Sequence, residues 1–169
     1  MTTLVELNAL EREAFVALLG HVFEHSPWVA ERAWDERPFA SRTHLHEKMV
    51  AVVDGATRDE QLALIRAHPE LLGRMAQATA LSAQSRRDQA GAGLDSANAA
   101  QLATLAALNA AYRKKFGFPF IVAVRGLDRP QIVARLDEQL ANTPQEEFAQ
   151  CLREIARIAR FRLEDAIGE

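Results

Sequence analysis

Apolar residues recur every three or four positions along almost the whole chain, which is the spacing of one face of an α-helix. The longest such stripe consists of Leu102, Leu105, Leu108, Tyr112 and Phe116. Helices with one apolar face bury it against one another. The pattern therefore predicts an all-α protein, a helical bundle of about eight helices in a single domain that spans residues 1–169.

Capping residues, prolines and glycines predict where the helices begin and end. The predicted starts are Asn8 (with Glu11), Ser41 or Thr43, Thr57 (with Glu60), Asp95, Asp128 and Thr143. Proline disfavours helix at the residue before it, so breaks are predicted at Ser26, Arg37 and His68. Gly55 is expected to end a helix in the left-handed conformation, and Gly117 is expected to end the long helix.

The middle of the chain is less regular. Helices are predicted for residues 70–79 and 82–90, and a flexible turn for residues 91–93. Residues 118–124 form an apolar run without helical period, rich in aromatic and β-branched residues. We expect this run to be buried extended chain, because no partner strand is visible.

Composition excludes several classes of protein. The net charge is −3, from 20 basic and 23 acidic residues, and no block of like charge predicts a nucleic-acid or anionic-membrane partner. No apolar run approaches the roughly 20 residues that span a bilayer. Cys151 is the one cysteine, so an internal disulfide and a cysteine-based metal site are excluded. The N-terminus lacks the pattern of a signal peptide, so a cytoplasmic protein is expected.

Two pairs of histidines invite a metal interpretation. His21 and His25 flank Glu24 in the order found in inverted zinc proteases, and residues four apart share a helical face. No third ligand can be named, however, and Pro27 ends the helix at the second histidine. A zinc hydrolase therefore stays only an alternative. His44 and His46 are expected to point to different faces of a helix and to be solvated.

His68 lies at a predicted helix end, directly before Pro69. The proline fixes the chain direction and removes one backbone donor, so a histidine here can project from a rigid corner. Imidazole is well suited to proton transfer near neutral pH. His68 is thus a candidate acid/base, although a His-Pro pair can also be an ordinary loop feature.

Residues 85–89 allow two interpretations. One is a plain helix start with Ser85 as N-cap and Asp88 in the first turn. The other is a polar cradle for a small ring, made by free N–H groups with Ser85, Asp88 and Gln89.

Arg162 lies beside apolar positions of the last predicted helix, so it is expected to be partly buried. A buried arginine requires a carboxylate or an anionic ligand. The alternative is an exposed salt bridge.

Five ordered blocks together resemble the OHCU (2-oxo-4-hydroxy-4-carboxy-5-ureidoimidazoline) decarboxylase family. The blocks are residues 24–30 with 37–39, residues 65–73, residues 85–95, residues 109–120, and Arg162-Leu163. The resemblance covers about residues 8 to 165.

The resemblance implies an all-α fold, a homodimer, and loss of CO₂ from OHCU to give (S)-allantoin without cofactor or metal. It implies that His68 is the catalytic acid/base and that Asp88 and Arg162 also belong to the catalytic group. The implied substrate-binding residues are Pro69, Ser85, Arg86, Arg87, Asp88, Gln89, and the backbone of Phe120, Ile121, Val122, Ala123 and Val124.

Two positions depart from the family pattern. Asp88 stands where the family has glutamate, which shortens the reach of the carboxylate by about 1.5 Å. Gln139 stands where arginine is usual. An impaired family member that acts as a helical binding module is therefore a further alternative.

Overall fold

The computed structural model of the protein describes residues 1–71, 85, 87–88 and 99–168. Over these residues the secondary structure is helical, apart from an isolated bridge between Thr2 and Ile167. The helices are α1 (Leu4–Ala9), α2 (Arg12–Leu19), α3 (Trp28–Ala33), a 3₁₀ turn (Trp34–Glu36), α4 (Arg42–Asp54), α5 (Arg58–Ala67), α6 (Ala99–Phe116), α7 (Arg129–Gln139) and α8 (Pro144–Ala166). The predicted all-α class is confirmed. None of the helices in the described ranges is both long enough and apolar enough to cross a membrane.

The chain forms two compact units. The first contains residues 1–67 and 155–169, and the second contains residues 68–154. Helix α8 begins in the second unit and ends in the first. The single domain expected over residues 1–169 stays a prediction.

In the first unit, α3 packs against α2 and α4. Its core consists mainly of fully buried side chains, among them Leu7, Phe15, Leu19, Val29, Leu45, Met49, Leu64, Ile65 and Leu163. Burial of each large apolar side chain contributes about 1.5–3 kcal/mol. The end of α8 is tied to the N-terminus, because the N–H of Gly168 donates to the carbonyl oxygen of Thr2 at 2.9 Å.

In the second unit, α6 packs on α7. The core here is aromatic: the ring centroids of Tyr112 and Phe120 are 5.4 Å apart, and those of Phe118 and Phe148 are 6.2 Å apart. Gly117 ends α6 with a φ of 77°, a left-handed conformation that other residues rarely adopt. This turn allows aromatic side chains before and after it to reach the same core.

Several predicted helix starts are confirmed. Thr57 and Glu60 form a capping box, with the Glu60 N–H donating to Thr57 Oγ1 at 3.2 Å. Asp128 caps α7 in the same way with Gln131, and the Thr143 hydroxyl accepts the N–H of Glu146 at the start of α8. Of the two alternatives for α4, the N-cap is Ser41, whose side chain accepts the N–H of His44.

One predicted helix cap and one predicted backbone conformation are wrong. Asn8 does not cap a helix: it lies inside α1, which Thr3 caps, and its side-chain amide pairs with the backbone N–H and C=O of Phe39 at 2.8 and 2.9 Å. A tertiary contact therefore uses the polar group that suggested a cap. Gly55 follows the last residue of α4, which confirms the predicted helix end, but it has a right-handed φ of −84° and not the predicted left-handed conformation.

The irregular middle is described only in part. Glu70 and Leu71 are not helical, so the helix predicted from residue 70 does not begin there. Ser85, Arg87 and Asp88 have helical conformation. The remainder of the predicted helices 70–79 and 82–90, the turn at 91–93 and the Asp95 cap lie outside the described residues.

Candidate active site

His68 is the first residue after α5, which ends at Ala67. This is the boundary predicted from Pro69. His68 is 6 % exposed, so its side chain is buried and is not surrounded by bulk water. A buried titratable side chain is a candidate for a functional group.

The chain after His68 is held by α6 at two points. Asn109, which is 2 % exposed, donates from Nδ2 to the carbonyl oxygen of Leu71 at 2.6 Å. Arg113 forms an ion pair with Glu70 at 2.8 Å. These contacts fix the segment that leaves the His-Pro corner, so the corner has a defined direction in the second unit.

Residues 120–124 follow α6 as buried, non-helical chain, which confirms that part of the sequence prediction. Their backbone runs along α8: the N–H of Ile121 faces Cys151 Sγ, and the N–H of Ala123 donates to Glu154 Oε2 at 3.0 Å. Two N–H groups spaced two residues apart thus point to the same helix. That is the two-residue period of extended chain.

On the side of this segment away from α8, backbone groups of Val122 lack hydrogen-bond partners among the described residues. In the part of the chain that the structure describes, neither the N–H nor the C=O of Val122 has a hydrogen-bond partner. Val122 is 4 % exposed. A buried peptide group without a partner costs about 1–3 kcal/mol, so it is a natural place for a ligand to bond.

A polar cluster packs beneath the segment. The hydroxyl of Tyr112 donates to Glu147 Oε2 at 2.5 Å, and Asn142 Nδ2 donates to Glu147 Oε1 at 2.7 Å. Burial raises the pKa of the Cys151 thiol to about 12 and also raises the pKa of Tyr112. Cys151 therefore stays protonated at neutral pH and is a packing group, because the thiolate is the nucleophilic form.

Arg162 is 3 % exposed and lies in the first unit, where it forms an ion pair with Glu24 at 2.9 Å. Its Nη1 also faces the carbonyl oxygens of His21 and Val22 at 3.3 and 3.4 Å. The prediction of a buried arginine that needs a carboxylate is confirmed, and the carboxylate is Glu24.

Residues 85–89 are described only at Ser85, Arg87 and Asp88. Ser85 is 6 % exposed, Asp88 is half-buried and Arg87 is exposed. Ser85 itself is helical, so the prediction that it is the N-cap preceding a helix is wrong. Arg86 and Gln89 lie outside the described residues. Ser85 and Asp88 share the second unit with His68, Pro69 and residues 120–124, whereas Arg162 belongs to the first.

The helical zinc motif is not formed. Helix α2 ends at Leu19, so His21 and His25 do not share a helical face, and His25 has a positive φ of 47°. Among the described residues, no group of three or more metal-ligating side chains is found. His46 is also not simply solvated, because its Nε2 lies 2.7 Å from the carbonyl oxygen of Ala156.

Three buried acids were missed in the sequence: Glu24, Glu147 and Glu154 are each at most 2 % exposed. A usable signal exists for two of them. Glu147 and Glu154 fall on the same apolar stripe of α8 as Cys151 and Ile155, where a charge is unexpected. Glu24 has no such periodicity, since it lies outside a helix.

Comparison with known proteins shows which family has a similar sequence. The family model for OHCU decarboxylase matches residues 8–164. A 2-oxo-4-hydroxy-4-carboxy-5-ureidoimidazoline decarboxylase of Halalkalicoccus jeotgali is 41 % identical over 96 % of this chain and 90 % of its own length. A uric acid degradation bifunctional protein of Bacillus sp. (strain TB-90) is 43 % identical over the whole chain, which spans 33 % of that protein.

The fold is similar as well. A crystal structure of (S)-allantoin synthase superposes with a TM-score of 0.81 at 29 % identity, covering 99 % of this chain and 54 % of the other. The family match and the similarity to full-length relatives extend over almost all of the sequence. This chain belongs to the OHCU decarboxylase family.

Proposed function

We propose that this protein catalyses the decarboxylation of OHCU to (S)-allantoin in the breakdown of urate. The observation that carries the proposal is the family match over residues 8–164, together with relatives whose names state this decarboxylation. The enzyme is a carboxy-lyase, and its substrate is a small anionic ring.

The chemistry asks for three things from the protein. The bond between ring carbon C4 and its carboxylate breaks, CO₂ leaves, and the electron pair shifts into a C4=C5 double bond as the neighbouring imine takes up the negative charge on nitrogen. The ureido-bearing carbon C5 then takes one proton on one face, while the 4-hydroxyl gives its proton to that nitrogen and becomes the carbonyl of allantoin. The protein must orient the carboxylate, stabilise the developing anion and supply that proton.

We assign the proton transfer to His68. Imidazole is the side chain whose unperturbed protonation equilibrium best suits proton transfer near neutral pH, and the 6 % exposure of His68 limits competition from bulk water. After transfer to the ring carbon, the imidazole recovers its proton from solvent before the next turnover. Pro69 and the contacts from α6 support a fixed direction of approach, which a single stereoisomer of the product requires.

Arg162 is assigned to an anionic or carbonyl oxygen of the substrate. Glu24 occupies one part of its guanidinium and fixes its orientation, so the arginine is held before the ligand arrives. The backbone of residues 120–124 is assigned to the ring edge, and the N–H and C=O of Val122 are among the groups available to bond to it. Ser85 and Asp88, with Arg86, Arg87 and Gln89, complete the proposed binding group.

The role of Asp88 in the reaction is considered separately, because its side chain is shorter than the glutamate of the family. Its carboxylate is about 1.5 Å shorter in reach than the family's glutamate, and a misplacement of that size can cost about 100-fold in rate. We propose that Asp88 acts in the reaction despite the shorter reach. Asp88→Glu is then expected to change the rate of an already active parent; recovery from an inactive parent would instead support the helical binding module.

The decisive experiment uses OHCU generated freshly from urate, with allantoin followed by circular dichroism. Spontaneous decay gives racemic allantoin, so the enzyme is expected to give an optically active product without added metal. His68→Ala and His68→Asn are expected to abolish this signal and to keep the helical spectrum. The matched control is His44→Asn at the start of α4, which is expected to retain activity.

A racemic product with the wild-type protein would overturn the decarboxylase proposal. Full activity of both His68 variants would overturn only the role of that histidine. The proposed homodimer and the cytoplasmic location, which rest on resemblance to metabolic enzymes of this family, are tested by analytical ultracentrifugation and by cell fractionation.

A further inference from the structure

Glu154 is a buried carboxylate that the proposed chemistry does not use. It is 2 % exposed and lies on α8, within the second unit. Its Oε2 accepts the N–H of Ala123 at 3.0 Å. Its Oε1 lies 3.6 Å from the guanidinium of Arg135 and 3.3 Å from the side-chain amide of Gln150. The carboxylate is therefore held from two directions and leaves one oxygen for the backbone.

The contact with Ala123 determines how the segment is turned about its own axis. In extended chain, successive peptide groups point to opposite sides. The N–H groups of Ile121 and Ala123 both point at α8. The peptide groups of Val122 must then point away from α8, which agrees with their lack of a partner among the described residues.

A charged acceptor suits this task. A carboxylate accepts a shorter and stronger bond from an N–H than a neutral oxygen does, and the other residues of the segment are apolar and could slip by one position. A slip of one residue would exchange the two sides and turn the groups of Val122 toward the helix.

We propose that Glu154 is a positioning residue that fixes the register of residues 120–124, so that the N–H and C=O of Val122 face the substrate. One residue of extended chain offers a parallel donor and acceptor, which matches a ring edge that carries an adjacent C=O and N–H. The inference rests on the proposed function, because it concerns the ring that the segment would bind.

The kinetic test compares two substitutions with one control. Glu154→Ala removes the acceptor and is expected to raise the KM for OHCU about tenfold or more with kcat within about threefold, because a contact common to ground and transition states is weakened. Glu154→Gln keeps an acceptor oxygen and is expected to stay within about threefold of wild-type KM. Glu147→Gln is the matched control: it is buried on the same helix but does not bond to residues 120–124, so its KM is expected to be unchanged.

A purely structural role would lower the active fraction, and hence the apparent kcat, with no change in KM. That result, or an unchanged KM in Glu154→Ala, would overturn the inference while wild-type turnover kept the proposed function intact. Absence of turnover by the wild type would instead remove the proposed function.

A second measurement needs no substitution and covers the case in which Glu154→Ala does not fold. In an amide NMR titration of the wild-type protein with (S)-allantoin, the Val122 amide is expected to shift and to exchange more slowly with solvent. The Ala123 amide is expected to keep its shift, because Glu154 already occupies it. Equal shifts at both amides, or a larger shift at Ala123, would contradict the proposed register.

Discussion

Glu24 in the first unit and Glu147 in the second are both buried carboxylates, at 2 % and 0 % exposure, yet they are stabilised differently. Glu24 faces the guanidinium of Arg162 at 2.9 Å. Glu147 is held by the hydroxyl of Tyr112 and the amide of Asn142. Within the described residues, no lysine, arginine or histidine lies within ion-pair distance of Glu147.

The difference is between a buried pair of opposite charges and a buried carboxylate that is stabilised by hydrogen bonds from neutral groups. In the first unit the burial of two ions is offset by their mutual attraction, so loss of either ion leaves the other uncompensated. In the second unit the charge is offset by neutral donors that replace water, so loss of one donor leaves the other in place. The first arrangement is consistent with a preset cation for an anionic ligand, and the second with a hydrogen-bonded network inside the core of the second unit.

The largest expected effect is at the ion pair. Glu24→Gln leaves the buried Arg162 without its carboxylate and is expected to lower the free energy of unfolding by about 3–5 kcal/mol, as measured by urea denaturation. The double substitution Glu24→Gln with Arg162→Leu is the control, and it should recover part of this loss because no lone charge remains. A loss below about 1 kcal/mol for Glu24→Gln would mean that water reaches the guanidinium.

A smaller effect is expected at the neutral cluster. Tyr112→Phe removes one of the two donors to Glu147 and is expected to cost about 1–3 kcal/mol in the same denaturation experiment. The ring and its contact with Phe120 are kept, so the hydroxyl alone is tested. If this substitution costs as much as Glu24→Gln, the distinction between the two regions fails.

The smallest effect is expected at a different arginine–glutamate pair, Arg32 and Glu60, which is more exposed than Arg162 and Glu24. Glu60 accepts from Arg32 at 2.5 Å and from the backbone of Thr57, and these bonds lower the pKa of Glu60 to about 2. Because the folded-state pKa is lowered from 4.5, this stabilisation is present above that value and is lost as pH falls toward 2.

Glu60→Gln should therefore change the melting temperature only slightly at neutral pH and should flatten its decline near pH 3. A neutral-pH loss comparable to that of Glu24→Gln would show that burial is not what distinguishes the two arginine–glutamate pairs. An unchanged acid decline would show that Glu60 does not contribute to it.

Sequence motifs predicted helix starts and ends correctly where these depend only on neighbouring residues. The Thr57, Asp128 and Thr143 caps, the break at Pro69 and the end of α6 at Gly117 depend on neighbouring residues and formed as expected. Asn8 has the same capping chemistry, but its amide pairs with Phe39, 31 residues away. A short motif cannot report which of two partners a side chain will choose.

The periodicity, the caps and the family blocks of the sequence determined the helical class, the non-helical run at 118–124 and the identity of His68 and Arg162 as candidate groups. Only the tertiary structure decided that Glu24 faces Arg162, that Glu147 is held by neutral donors, and that Glu154 takes the N–H of Ala123. The physical reason is that helix formation depends on bonds between residues three or four apart, whereas the partner of a buried charge is set by packing between segments distant in sequence.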